Sequence, residues 1–249
     1  MPNLTGKNVV VLGASGSVGT ALVRRLAAED AHVLAVARNR SRLDALLRDL
    51  TDVDVLELDA TWDDAPTHVF RALSPHVLVV CAGATPPTGP IHELTWAQFS
   101  ANWESDVKMA FLFCRAALTK PLAPGSIVIL ISAGAALGGS PISGGFAGAK
   151  RTLMFIANYG QKESDRLRLG IRFMALAPLM IMPNTDLGKL AVEQYSKYLG
   201  ISAADFVRSI KSPQTPQDVA EAIVDLAVRP EGHQGSVFTV SKEGIARVP

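Results

Sequence analysis

The chain has 249 residues, of which 48% are hydrophobic and 19% charged, with a formal net charge of +1. That length and apolar fraction suit one large α/β domain spanning 1–249 and exclude an intrinsically disordered chain. The near-neutral balance gives no electrostatic basis for binding nucleic acid or an anionic membrane. No apolar run reaches the roughly 20 residues that a spanning helix needs. The opening stretch MPNLTGKNVVVLGAS lacks the charged leader and long apolar segment of a signal peptide. A soluble, cytoplasmic protein is therefore expected. Cys81 and Cys114 both sit in apolar runs and read as reduced, buried small hydrophobes, and no spacing indicates a metal site.

Short β-branched runs alternate with helical stretches along the chain. Lys7–Leu12 reads as a strand, followed by a helix over Val18–Glu29 with Val18, Leu22, Val23 and Leu26 on one face. His32–Ala37 is a second strand, and Ser41–Leu50 a helix for which Ser41 offers an N-cap. Further strands are expected at Val53–Leu58, His76–Val80, Ser126–Ile131, Ile171–Leu176 and Gly235–Val240. Several are apolar on both faces, as strands covered by helices on both sides must be. The expected architecture is a Rossmann-type, doubly wound, mainly parallel seven-stranded sheet with helices on both faces. Met182–Ser212 reads as mostly helical and lies after the sixth strand, where it is expected to form a substrate lid.

Directly after the first strand comes Gly13-Ala14-Ser15-Gly16-Ser17-Val18-Gly19, running straight into a helix. Glycines at such a junction permit a tight turn and close backbone approach to a pyrophosphate, and the helix N-terminus presents free N–H groups to its oxygens. Past the second strand, where an NAD-binding fold usually carries an acid for the ribose 2′-hydroxyl, stand Ala37 and Arg38, with Arg40 and Arg42 behind. A guanidinium binds a 2′-phosphate that an acid would repel, so NADP(H) is expected over NAD, with Arg38 as the contact.

With these residues in place, the chain resembles the short-chain dehydrogenase/reductases over almost its whole length. Gly13 to Gly19 matches the family's nucleotide loop, with the middle glycine moved to Gly16. Asp59, followed by Ala60, matches the acid that meets the adenine. Cys81-Ala82-Gly83-Ala84 resembles the turn that supports the cofactor, with both of its asparagines absent. Pro141, Phe146 and Lys150, and Ala177-Pro178 also fall at family spacing, although the glycine expected after Pro178 is Leu179.

The resemblance implies chemistry by an Asn, a Ser, a Tyr and a Lys. The phenol protonates the developing alkoxide, the serine hydroxyl holds the carbonyl oxygen, and the lysine binds the nicotinamide ribose and lowers the phenol pKa. The asparagine supports a water-linked path to the lysine. Mapped onto this chain, those positions are Asp106, Ala133, Phe146 and Lys150, so only the lysine is retained. Ser132 should face the other side of its strand. Ser143 reaches the site only if its loop refolds. Tyr159 falls on the opposite helix face from Lys150, and Tyr195 and Tyr198 lie in the lid.

Without a phenol at 146 and a hydroxyl at 133, ordinary ketone reduction by the family route is not expected, since each such group is typically worth about 10²–10⁴ or 10²–10³ in rate. Three readings follow. The first is an oxidoreductase acting on a small molecule that is already activated, such as an imine, or using a lid tyrosine as acid. The second is a non-redox isomerase, lyase or cyclase working by positioning. The third is a pseudoenzyme acting through partners. Asp106 beside Lys150 is expected to form an ion pair, or to steady a cationic substrate. Helices at Phe99–Leu118 and Ala147–Leu167 resemble the family's dimer-forming pair, and Leu153, Met154, Ile156 and Ala157 suggest surplus apolar surface for a homodimer or homotetramer.

Overall fold

The computed structural model describes residues 3–48, 50 and 52–248. Eight strands form one sheet: β1 (Asn8–Leu12), β2 (His32–Ala37), β3 (Val53–Glu57), β4 (Val77–Val80), β5 (Ile127–Ile131), β6 (Arg172–Pro178), β7 (Val237–Ser241) and β8 (Gly244–Arg247). Their order is β3-β2-β1-β4-β5-β6-β7-β8, parallel throughout except for β8, which runs antiparallel to β7. The eighth strand corrects the expected count of seven. It is a hairpin return of four largely exposed residues, too short to read as a strand from its pattern.

Period-two alternation divides the core between the two faces of the sheet. Val9 and Val11 point toward α1 (Ser17–Ala27), whose Leu22, Val23 and Leu26 bury against them. Val10 and Leu12 point the other way, into a cluster holding Phe113, Leu153 and Phe173. Ten α-helices are present among the described residues. After α1 come α2 (Arg40–Leu47), α3 (Ala65–Ala72), α4 (Trp96–Asn102), α5 (Lys108–Thr119) and α6 (Ala135–Gly138). They are followed by α7 (Gly145–Leu167), α8 (Asp186–Leu199), α9 (Ala203–Ser209) and α10 (Pro216–Val228).

Two local expectations are corrected. Asn39, not Ser41, caps α2: its side-chain oxygen accepts from the Arg42 amide at 3.0 Å and from the Ser41 hydroxyl at 2.7 Å. The helix ends at Leu47. The single helix expected over Phe99–Leu118 is broken into α4 and α5 by a π-helical turn, Trp103–Val107. Such an extra residue per turn re-aims side chains and is frequent at functional sites. Here it carries Asp106.

The strand order reverses between β1 and β4, and a doubly wound sheet opens its ligand crevice at that switch point, beyond the carboxyl ends of the strands. The glycine-rich loop leaves β1 and the Cys81–Ala84 turn leaves β4, so both form the crevice floor.

Candidate active site

The floor depends on glycine because backbone meets backbone there. Gly13 has φ +82, and a Cβ on it would lie 2.5 Å from the Ala82 nitrogen. A Cβ on Gly19 would lie 2.2 Å from the Gly13 carbonyl oxygen. Gly16 is the N-cap of α1 and supplies no side-chain acceptor, so the first amides of the helix, at Ser17, Val18 and Gly19, have no capping side chain. This is a set of N–H donors at a positive dipole end, flanked by Ser15, and it can hold a pyrophosphate.

At the far end of the crevice Arg38 is 70% exposed and stands 3.8 Å from Asp59. Asp59 also accepts from the Thr61 amide at 2.9 Å and the Thr61 hydroxyl at 2.7 Å. Burial alone would raise its carboxyl pKa, but the Thr61 bonds and the charges of Arg38 and Lys108 hold it below the usual carboxylate range. Ala60 beside it is buried. Arg40 is engaged by Asp44 at 2.8 Å, and Arg42 stands 3.8 Å from Asp186 at the start of α8. Arg38 is thus the exposed guanidinium nearest Asp59.

At the other end, Lys150 and Asp106 form an ion pair of 3.0 Å whose side chains are 8% and 0% exposed. The Lys150 ammonium also donates to the Ile131 carbonyl at 3.2 Å. The other Asp106 oxygen accepts from the Ala84 amide at 2.9 Å and the Ser105 hydroxyl at 2.8 Å. Gly83 backs the carboxylate so closely that a Cβ there would lie 2.8 Å from Asp106 Oδ2. Asn102, one turn earlier, donates to the Ala84 carbonyl at 3.0 Å. The carboxylate therefore faces inward, and its charge is balanced within the protein. It is not presented to the crevice, so it cannot steady a cationic substrate.

Phe146 is buried one turn before Lys150, with the ammonium 5.7 Å from its ring centroid. Ala133 is half-buried at the end of β5. Ser132 is buried, and its hydroxyl donates to the Lys150 carbonyl at 2.7 Å. The segments after β5 and β6 are pinned together: the Gly134 amide donates to the Pro178 carbonyl at 2.7 Å, and a Cβ on Gly134 would lie 2.6 Å from the Leu179 oxygen. Cys81 is half-buried, and desolvation pushes its thiol up to about 12, with the Lys150 charge opposing. Among the described residues no group of His, Cys, Asp and Glu is placed to hold a metal, and no helix is long and apolar enough to cross a membrane.

Residues 7–195 match the short chain dehydrogenase family model. The chain belongs to that family. Similar proteins include the L-xylulose reductases of Bos taurus, 29% identical over 50% of this chain and 52% of the relative, and of Homo sapiens, 29% identical over 42% and 43%. The chain thus spans about half the length of these curated relatives. A 3-oxoacyl-acyl-carrier-protein reductase of Rickettsia felis is 27% identical over 62% of this chain and 65% of the relative. Levodione reductase shares the fold with a TM-score of 0.83 and 20% identity, covering 96% of this chain and 97% of its own. A 3-ketoacyl-acyl-carrier-protein reductase from Brucella melitensis, complexed with NADH, has a TM-score of 0.77 and 18% identity over 96% and 98%.

Within this short-chain dehydrogenase, Asp106, Phe146 and Lys150 meet at one end of the crevice, where Asp106 Oδ2 is ion-paired with Lys150 but accepts no hydrogen bond. One polar contact escaped the sequence. Ser140, on the segment between Ala133 and Phe146, shares a hydrogen bond with the Tyr195 hydroxyl of α8. Their separation of 55 positions in the chain left no local signal.

Proposed function

We propose that this protein is an NADP(H)-dependent reductase of a small molecule, working without a hydroxyl at 133 or 146. The substrate class favoured is a C=N or C=O group already activated for reduction, such as an imine or iminium. The observation that carries this reading is the pairing of an open glycine-rich floor with a closed Asp106–Lys150 ion pair. The first can still hold a dinucleotide, which when bound supplies the reducing electron pair. The second withholds the ammonium from the ribose and from any phenol.

In this reading Gly13, Ser15, Gly16, Ser17, Val18 and Gly19 hold the pyrophosphate, and Asp59 and Ala60 the adenine end. Ala82, Gly83 and Pro178 shape the bed for the rest of the dinucleotide. The residues 182–212, with α8 and α9, cover the substrate as a lid. Arg38 contacts the 2′-phosphate. Charge-assisted bonds of this kind are worth about 1.5–3 kcal/mol, so Arg38→Asp should weaken NADPH by roughly 10- to 150-fold and leave NADH within about threefold. Titration by nucleotide fluorescence measures both. Equal losses, or tighter NADH binding by the parent, would refute the NADP assignment.

Reduction of a preformed cyclic iminium by NADPH, with stereospecific transfer of deuterium from labelled cofactor, tests the activity itself. The inward-facing ion pair is equally compatible with an isomerase, lyase or cyclase on this scaffold, or with a pseudoenzyme. Turnover in nucleotide-free protein selects the first of these alternatives.

A homo-oligomer is part of the proposal, but its surface differs from the one expected. Leu153, Met154 and Ala157 are buried in the chain's own core. The outward face instead carries Phe155 and Tyr159, 64% and 59% exposed with rings 5.7 Å apart, together with Phe111 on α5, 54% exposed. Aromatic surface at this density favours association. Light scattering at micromolar concentration should give a mass of at least two chains, and a monomer would overturn the assignment.

A further inference from the structure

We propose that Tyr195, held by Ser140, is the proton donor of this enzyme and extends its substrates to neutral carbonyl compounds. The inference rests on the reductase reading above. Ser140 lies on the segment that leaves β5, forms α6 and enters α7, so along the chain it stands between Ala133 and Phe146, the two positions that lack hydroxyls. Its hydroxyl bonds that of Tyr195, and its Oγ also accepts from the Ile142 amide at 3.4 Å. The Tyr195 ring is fixed by stacking on Phe206 of α9, with centroids 5.2 Å apart and planes 6° from parallel. Phe206 itself is buried. A phenol clamped by a ring on one side and a hydroxyl at its tip has lost its rotamer freedom, as a positioned acid must.

Elimination among the tyrosines points the same way. The chain has three. Tyr159 is 59% exposed on the outer face of α7, and Tyr198 is 50% exposed on α8. Tyr195 alone is half-buried and hydrogen-bonded to the segment between Ala133 and Phe146. In this proposal that pair of hydroxyls, one from residues 182–212 and one from the segment after β5, takes the place of the two that are missing.

The step balances as follows. The carbonyl carbon receives a hydrogen with its electron pair from NADPH, which leaves as NADP⁺. The C=O π pair moves onto oxygen as that oxygen takes the proton of the Tyr195 hydroxyl. The tyrosinate is reprotonated through the Ser140 hydroxyl, which draws its proton from water. An iminium needs no such proton, so the two substrate types separate the roles.

The test compares Tyr195→Phe with the parent on an activated ketone and on a preformed iminium, both with NADPH. The ratio of ketone to iminium kcat should fall about 100-fold or more, with KM for the ketone little changed. Ser140→Ala should lower the same ratio less, by about tenfold. Binding of an unreactive carboxamide to the NADPH complex, followed by cofactor fluorescence, should weaken two- to tenfold in Tyr195→Phe, since the amide oxygen loses one hydrogen-bond donor. An unchanged ratio with unchanged carboxamide binding overturns the proposal while leaving the reductase reading intact. Equal loss on both substrates also overturns it, and makes Tyr195 a structural part of the lid. A parent that binds NADPH yet reduces neither substrate removes the reductase reading and this proposal together.

Discussion

The combined variant Ala133→Ser, Phe146→Tyr and Asp106→Asn should reduce activated ketones with NADPH at a rate at least about 100-fold above the parent. Phe and Tyr differ by one hydroxyl, as do Ala and Ser, so neither change requires the pocket to be rebuilt. Phe146 precedes Lys150 by one turn, and on a helix such residues share a face. A phenol at 146 would therefore stand beside the ammonium, which already lies 5.7 Å from the ring. In the parent that charge is answered by Asp106 at 3.0 Å. Asp106→Asn removes the answering charge while keeping a carbonyl oxygen that can accept the Ala84 amide. The freed lysine stem can then turn toward the crevice. The gain is measured as NADPH oxidation, with the double variant lacking the Asp106 change as the comparison. That double variant should gain less, because the cation remains paired. A folded triple variant that binds NADPH but gains nothing over the parent would show that the nicotinamide end has moved, with Leu179 the first residue to change.

Removing one partner of the Asp106–Lys150 pair should be the most damaging single polar change in the chain. Lys150→Met leaves a carboxylate with no solvent exposure and, among the described residues, removes the ammonium paired with it. An orphaned buried charge of this kind costs about 3–5 kcal/mol. For a chain of this size that lowers the melting temperature by roughly 6–20 °C. Asp106→Asn is milder, because Lys150 can leave the pocket by its flexible stem whereas the short carboxylate of Asp106 cannot. Adding Asp106→Asn to Lys150→Met should recover part of the loss, since no charge then stays buried. Denaturant midpoints for the two singles and the double close the cycle. A Lys150→Met protein within about 1 kcal/mol of the parent would mean that water already reaches Asp106, and the closed pair would have to be abandoned.

Much of this protein was written in local pattern. Strand runs apolar on both faces specify a sheet covered on both sides, because period two places alternate residues on opposite faces whatever lies far away in sequence. Val10 and Val11 bury in different clusters for that reason alone. The glycine-rich loop was legible because it sits at a strand–helix junction, and the absence of hydroxyls at Ala133 and Phe146 needs no coordinates at all. Boundaries were less legible. Asn39 and Ser41 are both good caps, and only the observed bond to Arg42 chooses between them. The π-turn at Trp103–Val107 has no compositional mark, yet it aims Asp106 inward. Tertiary structure alone decided which distant side chains meet. Periodicity reports which face a residue takes, but not which distant residue it meets. The family resemblance already set Asp106 beside Lys150, whereas Tyr195 meets Ser140 only once the chain has folded.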